Sequence, residues 1–258
     1  MTTPPIVLAA HGSRDPASSA TMRALAARVG QVWPAPVVAA FLDFDEPSIP
    51  DALAGLPDEP APVVVPALLT NAYHGRVDLP GVLAQVPRPT VLADVLGPDP
   101  LLVTGMRRRL SELDDDAFDA LVLVAAGTSD PAARSTVDQT ARELGRQLDV
   151  PCLASYASAS APTPGEAVLA LRATGARRIL GAAYFLATGR LYTAAVRSAV
   201  EAGAVDVAAP LGPADELVHL VVARAMTAID GRNADRAGVA LAGAATKKAP
   251  ATAPGRFS

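Results

Sequence analysis

The chain has 258 residues, half of them hydrophobic, 19% charged and only 4% aromatic, with 22 Lys+Arg set against 26 Asp+Glu for a net charge of -4. That acidity argues against affinity built on phosphate neutralisation, and so few aromatic residues poorly supply the stacking platforms of single-strand or carbohydrate binders. The apolar content is ample for one or two packed domains, while no run reaches the roughly 20 apolar residues of a membrane span.

The N-terminal MTTPPIVLAAHGSR has no basic leader region, and its apolar run, Ile6 to Ala10, has the length of a buried strand and stops at His11. Asp15-Pro16 then offers an N-cap acceptor and a proline for the first helical position, and Ala17 to Val32 sets Met22, Leu25, Val29 and Val32 on one helical face. Val37 to Leu42 predicts a second strand, Pro47 to Leu56 a short helix and Val63 to Leu69 a third strand. Leu79 to Gln85 predicts a brief helix, Thr90 to Ala93 a fourth strand, and Asp99-Pro100 the cap of a helix reaching about Leu113. Alternating strands and helices imply parallel strands, right-handed crossovers and helices on both faces. The same order returns from Leu121 to about Ile229, and the Ala-, Gly-, Thr- and Pro-rich stretch 231–258 reads as a disordered tail.

This recurrence is a tandem duplication. Gly12-Ser13-Arg14-Asp15-Pro16 falls on Gly127-Thr128-Ser129-Asp130-Pro131 at an offset of 115. At the same offset Glu46-Pro47-Ser48 falls on Ala161-Pro162-Thr163, Val64-Val65 on Ile179-Leu180, and Leu96-Gly97-Pro98 on Leu211-Gly212-Pro213. The expected domains are 1–115 and 116–230, followed by the tail 231–258.

Three groups with metal-binding chemistry follow three different strands: His11 after the first, Asp43 after the second and His74 a few residues beyond the third. In an open parallel sheet such groups converge on one crevice, and two imidazoles with a carboxylate suit a first-row divalent metal. A lone strand-end histidine is more often a hydrogen-bonding residue, but the duplication bears on this. At an offset of 115 the second copy carries Ala126, Ser158 and Gly189 in place of His11, Asp43 and His74, while the turn landmarks survive in both copies. Packing groups should be kept twice, whereas one shared site needs its ligands once. No phosphate-loop or dinucleotide motif occurs, so no nucleotide is expected. A single cysteine, Cys152, cannot form an internal disulfide and reads as a small buried hydrophobe. The chain is therefore expected to be cytoplasmic, with no nucleic-acid or membrane partner.

Val-Leu-Ala-Ala-His11-Gly-Ser-Arg-Asp-Pro, Phe41-Leu-Asp-Phe-Asp-Glu-Pro-Ser-Ile, the segment from Val63 through His74-Gly-Arg-Val-Asp-Leu-Pro, and Leu96-Gly-Pro-Asp-Pro together resemble the sirohydrochlorin chelatase family, over essentially residues 5–229. The resemblance implies an α/β fold of two tandem chelatase-like domains, each a four-stranded parallel sheet flanked by helices, with the active site in the cleft between them. It implies that His11 and His74 are the catalytic and metal-binding histidines, and that Asp43 stands where the family commonly has Glu. The implied reaction is ATP-independent insertion of Fe2+ into sirohydrochlorin to give sirohaem. Cobalt insertion on the way to cobalamin is the alternative, as is a non-catalytic tetrapyrrole or metal carrier. Arg14, Arg76, Arg190 and Ser13 are candidates for gripping the substrate carboxylates, with Thr128, Ser129 and the 184–192 segment on the opposite wall. A monomer is expected, because the duplication supplies both sides of one cleft.

Overall fold

In the computed structural model, residues 2–70, 78–113 and 117–246 are described, with backbone alone over 233–246. The first copy runs β1 (Ile6–Ala10), α1 (Pro16–Val32), β2 (Val37–Phe41), α2 (Ile49–Ala54), β3 (Val63–Pro66), α3 (Leu79–Ala84), β4 (Val91–Leu92) and α4 (Pro100–Leu110). The second runs β5 (Ala120–Ala125), α5 (Pro131–Leu148), β6 (Cys152–Tyr156), α6 (Pro164–Ala173), β7 (Ile179–Tyr184), α7 (Arg190–Glu201), β8 (Asp206–Val207) and α8 (Asp215–Thr246). Two four-stranded parallel sheets result, ordered β2-β1-β3-β4 and β6-β5-β7-β8. The two tandem four-stranded parallel sheets flanked by helices are therefore as expected.

Local chemistry explains the helix starts. Asp15, Asp99 and Asp130 each accept a backbone N–H two residues on, with proline in the first turn, and Thr163 with Glu166 forms a reciprocal capping box ahead of Pro164. α7 differs: its N-cap is Gly189, which offers no side-chain acceptor. Every residue of β1, β3, β5 and β7 is buried, as strands covered on both faces must be.

Five layers stack in the order α2/α3, first sheet, a middle layer of α1, α4, α5 and α8, second sheet, α6/α7. Val7, Ala9 and Val64 face α2 and α3, and Val122 and Val124 face α6 and α7. The inner faces, with Ile6, Leu8 and Val65 on one sheet and Leu121, Leu123 and Ala182 on the other, share one continuous core with the four middle helices.

Within that layer the copies exchange their last helices. α4 closes the first copy in sequence but packs on β7 and α5, and α8 closes the second copy but packs on β3, β4 and α1. Leu217, Leu220 and Val221 of α8 thus lie in the same core as Ile6 and Val63. Each sheet is covered by a helix of the other copy, so the divisions of the sequence at 115 and 116 do not separate two cores.

Three expectations are corrected by the backbone. β3 ends at Pro66 rather than Leu69, because the amide of Leu68 turns back 2.9 Å onto the carbonyl of Pro66 and leaves the ladder. The repeat is not gapless. Ile6 pairs with Val63, whereas Leu121 pairs with Leu180, so the offset is 115 between β1 and β5 but 117 between β3 and β7. Val64 therefore corresponds to Gly181, not Ile179. Finally, α8 does not stop at residue 230: its backbone stays helical through Gly231 to Thr246.

Candidate functional site

The first group of the site is fixed by backbone. Ladder pairing of β1 with β2 continues past both strands, with Leu42 N donating to Ala10 O at 2.9 Å and Asp43 N to His11 O at 2.8 Å. Gly12 then turns away at φ 91, so close to the neighbouring chain that a Cβ there would stand 1.7 Å from the carbonyl oxygen of Asp43. Only glycine fits, and the same close approach recurs between Gly127 and Ser158 at φ 98. This turn delivers His11 and Asp43 side by side, with Nδ1 3.9 Å from Oδ2. With side chains 40% and 63% exposed, the pair contributes little as an ion pair.

Ser13 and Arg14 follow. Ser13 N donates to Asp45 Oδ2 at 2.9 Å, and Ser13 Oγ accepts from Asp15 N at 3.1 Å, a turn that Thr128 repeats with Asp130. The Ser13 hydroxyl therefore has a structural task in the turn as well as a place on the cavity wall. The Arg14 guanidinium carbon sits 5.3 Å from the ring centroid of Phe44.

Two cavities meet at His11. The larger, of about 770 Å³, is lined from the first copy by His11, Ser13, Arg14 and Phe44, and from the second by Thr128, Ser129 and residues 184–192, including Arg190 at the start of α7. Its described lining contains two arginines and no carboxylate. Ser18 in the first turn of α1 and Arg190 to Tyr192 in the first turn of α7 line it, and helix starts of this kind favour anions. The smaller, of about 380 Å³, lies on the other side of His11 and is lined by Asp43 and Asp78 together with Leu42, Gly81, Val82 and Gln85. Among the described residues, one cavity thus carries two arginines and no carboxylate, the other two carboxylates and no arginine or lysine, and His11 lines both.

His74 and Arg76 lie outside the described residues. Among the described residues no group of three or more His, Cys, Asp and Glu side chains could hold a metal ion. His11 and Asp43 are brought together, and Arg14 and Arg190 face the same cavity from opposite copies. Desolvation pushes the Cys152 thiol up to about 12, in keeping with its reading as a packing residue. Burial also raises Tyr184, whose hydroxyl donates to Leu69 O at 3.0 Å across the two copies. Sequence reasoning overlooked Phe44, a 62% exposed ring at the cavity edge. The signal was present: an aromatic residue between two aspartates, in the turn after a strand.

The fold and the strand-end histidine define a chelatase-type α/β protein built from two copies. The CbiX family model matches residues 5–113 and again 120–228, so the chain belongs to the CbiX family. Among curated proteins none matches the chain. SirB from Bacillus subtilis solved with Fe3+ is similar at 22% identity and a TM-score of 0.76, over 90% of this chain and 98% of that one. A cobalt complex of the sirohydrochlorin chelatase SirB from Bacillus subtilis subspecies spizizenii is similar at 20% identity and a TM-score of 0.75, with the same coverage. CbiX, described as the terminal enzyme of sirohaem biosynthesis in denitrifying bacteria, is similar at 22% identity and a TM-score of 0.60, over 86% of this chain and 98% of that one. Among the described residues no helix is long and apolar enough to cross a membrane.

Proposed function

We propose that this protein inserts a divalent metal into sirohydrochlorin without ATP, with Fe2+ as the substrate metal and sirohaem as product. The observation that carries this reading is the position of His11 between two cavities of opposite character. The reaction joins a cation to a flat polycarboxylate, and the two need different surroundings. The carboxylate-lined side, with Asp43 and Asp78, suits the cation, and the arginine-lined side suits the carboxylates at the macrocycle rim. At about 770 Å³ the larger cavity lies within the range of small-molecule and cofactor sites.

Insertion replaces two pyrrole N–H protons by M2+, so the enzyme must release the metal from its water shell and accept protons. His11 carries both tasks: a neutral imidazole binds a divalent metal through its lone pair and, once the metal has left it, accepts a proton. Asp43 shares the metal, and His74 completes the set in the family pattern. Arg14, Arg76 and Arg190 hold the carboxylates.

Cobalt is the alternative metal, because a His/carboxylate site follows the general affinity order and selects weakly. The test is anaerobic metallation of sirohydrochlorin followed by absorbance, with Fe2+ and Co2+ in separate reactions. Faster turnover with Fe2+ is expected. Faster turnover with Co2+ would assign the cobalamin branch. Binding of tetrapyrrole and metal without turnover would make the protein a carrier and overturn the proposal.

A further inference from the structure

We infer that Phe44 is a substrate-binding residue: its exposed ring meets the apolar surface of the tetrapyrrole macrocycle beside His11 and keeps Arg14 poised for a carboxylate on the rim. The inference rests on the proposed function above and names a residue outside the ligand set. Four observations carry it.

The ring is placed for it. Phe44 is 62% exposed and lines the larger cavity, where a big apolar side chain in a polar turn contributes no core packing. Its neighbours complement a carboxylate-rimmed apolar disc: the His11 ring lies 6.4 Å away at an interplanar angle of 29°, and the Arg14 cation 5.3 Å from the ring centroid.

The backbone holds the ring outward at a conformational cost. Phe44 has φ 64, in the left-handed region that bulky side chains rarely occupy. Asp45 N donating to Asp43 O at 2.8 Å and Ser13 N donating to Asp45 Oδ2 at 2.9 Å fix the turn around it. The turn is over-determined by these bonds and holds the ring outward as part of the scaffold.

The duplication supplies an internal control. In this segment the two copies keep the 115 offset, and Ala159, the counterpart of Phe44, has the same left-handed turn at φ 58. The turn therefore forms without an aromatic ring. The ring is present only in the copy that carries His11 and Asp43.

The test compares Phe44→Ala, Phe44→Trp and Phe44→Leu with the wild type. It reads binding of metal-free sirohydrochlorin by its fluorescence, binding of Co2+ alone by calorimetry, and steady-state metallation. Phe44→Ala is expected to fold, since alanine already occupies this turn in the second copy. It should raise the sirohydrochlorin Kd and the KM by about five- to hundredfold, the usual effect of removing one stacking ring. Co2+ binding should stay within about twofold, a change too small to report a lost ligand. Phe44→Trp should restore most of the affinity and Phe44→Leu much less. Unchanged sirohydrochlorin binding in Phe44→Ala, or equal rescue by Leu and Trp, would overturn the inference. Failure of the wild type itself to bind or metallate sirohydrochlorin would overturn the proposed function, and this inference with it.

Discussion

Arg224 on α8, the last helix of the second copy, ties itself to Asp99 at the start of α4 in the first: Nη2 lies 3.1 Å from Asp99 Oδ2 and 2.9 Å from Leu96 O, and Nε lies 2.9 Å from Val95 O. One guanidinium thereby fastens the exchanged helix to the corner where the other exchanged helix begins. Arg224 and Asp99 are 21% and 19% exposed, so the bonds are partly shielded from water. Arg224→Met should lower stability by about 2 kcal/mol, the scale for lost charge-assisted hydrogen bonds in a partly screened site. Because both copies share one core, the wild-type chain should unfold in a single transition by far- and near-ultraviolet dichroism. Two separated transitions would contradict the helix exchange.

Gly12→Ala drives a Cβ into the carbonyl of Asp43 at a backbone angle alanine rarely adopts. The predicted loss is about 2–4 kcal/mol, and in whatever fraction stays folded the separation of His11 from Asp43 should widen. Gly127→Ala in the second copy meets the same obstacle at Ser158 and serves as the comparison. Both variants should destabilise alike in urea, while only Gly12→Ala should weaken Co2+ binding in the folded protein. Equal loss of Co2+ binding in both would mean that the first-copy turn has no special part in the site.

Arg190→Ala and His11→Ala should fail in opposite ways. Arg190 faces the cationic cavity from the second copy, so its removal should raise KM for the polycarboxylate by about tenfold and leave metal affinity unchanged. His11→Ala should lose at least about a hundredfold in metallation and weaken metal binding while keeping the fold, since a 40% exposed side chain contributes little packing. His74→Ala should behave like His11→Ala. Calorimetric titration should find one metal per chain. Two equivalent metals, or loss of metal binding on changing Arg190, would reverse the roles assigned to the copies.

Gly231→Ala probes the course of α8. A Cβ at Gly231 meets nothing within 4 Å and the backbone there is helical, so alanine should stabilise the protein by about 0.5–1 kcal/mol through helix propensity. No gain in stability and no gain in far-ultraviolet helicity would return the helix end to the vicinity of residue 230.

What the sequence determined by itself was local and periodic. Capping aspartates followed by proline marked the helix starts at Pro16, Pro100 and Pro131, and unbroken apolar runs marked β1, β3, β5 and β7, because those signals depend on residues a few positions apart. The duplication was legible for the same reason, since it is carried by motifs such as Gly12 to Pro16 and Gly127 to Pro131. It also pointed to His11 and Asp43, which the continued β1–β2 ladder sets 3.9 Å apart. The two-residue slip between β3 and β7 was hidden, because a gapless comparison cannot see hydrogen-bond register. Only the tertiary structure decided which helix covers which sheet: an amphipathic face states that it must be buried but not against what, and α4 and α8 find complementary cores in the opposite copy. Tertiary structure alone also separated the cationic cavity from the acidic one and turned Phe44 outward between His11 and Arg14, since charge and exposure at a point in space are summed over residues far apart in the chain.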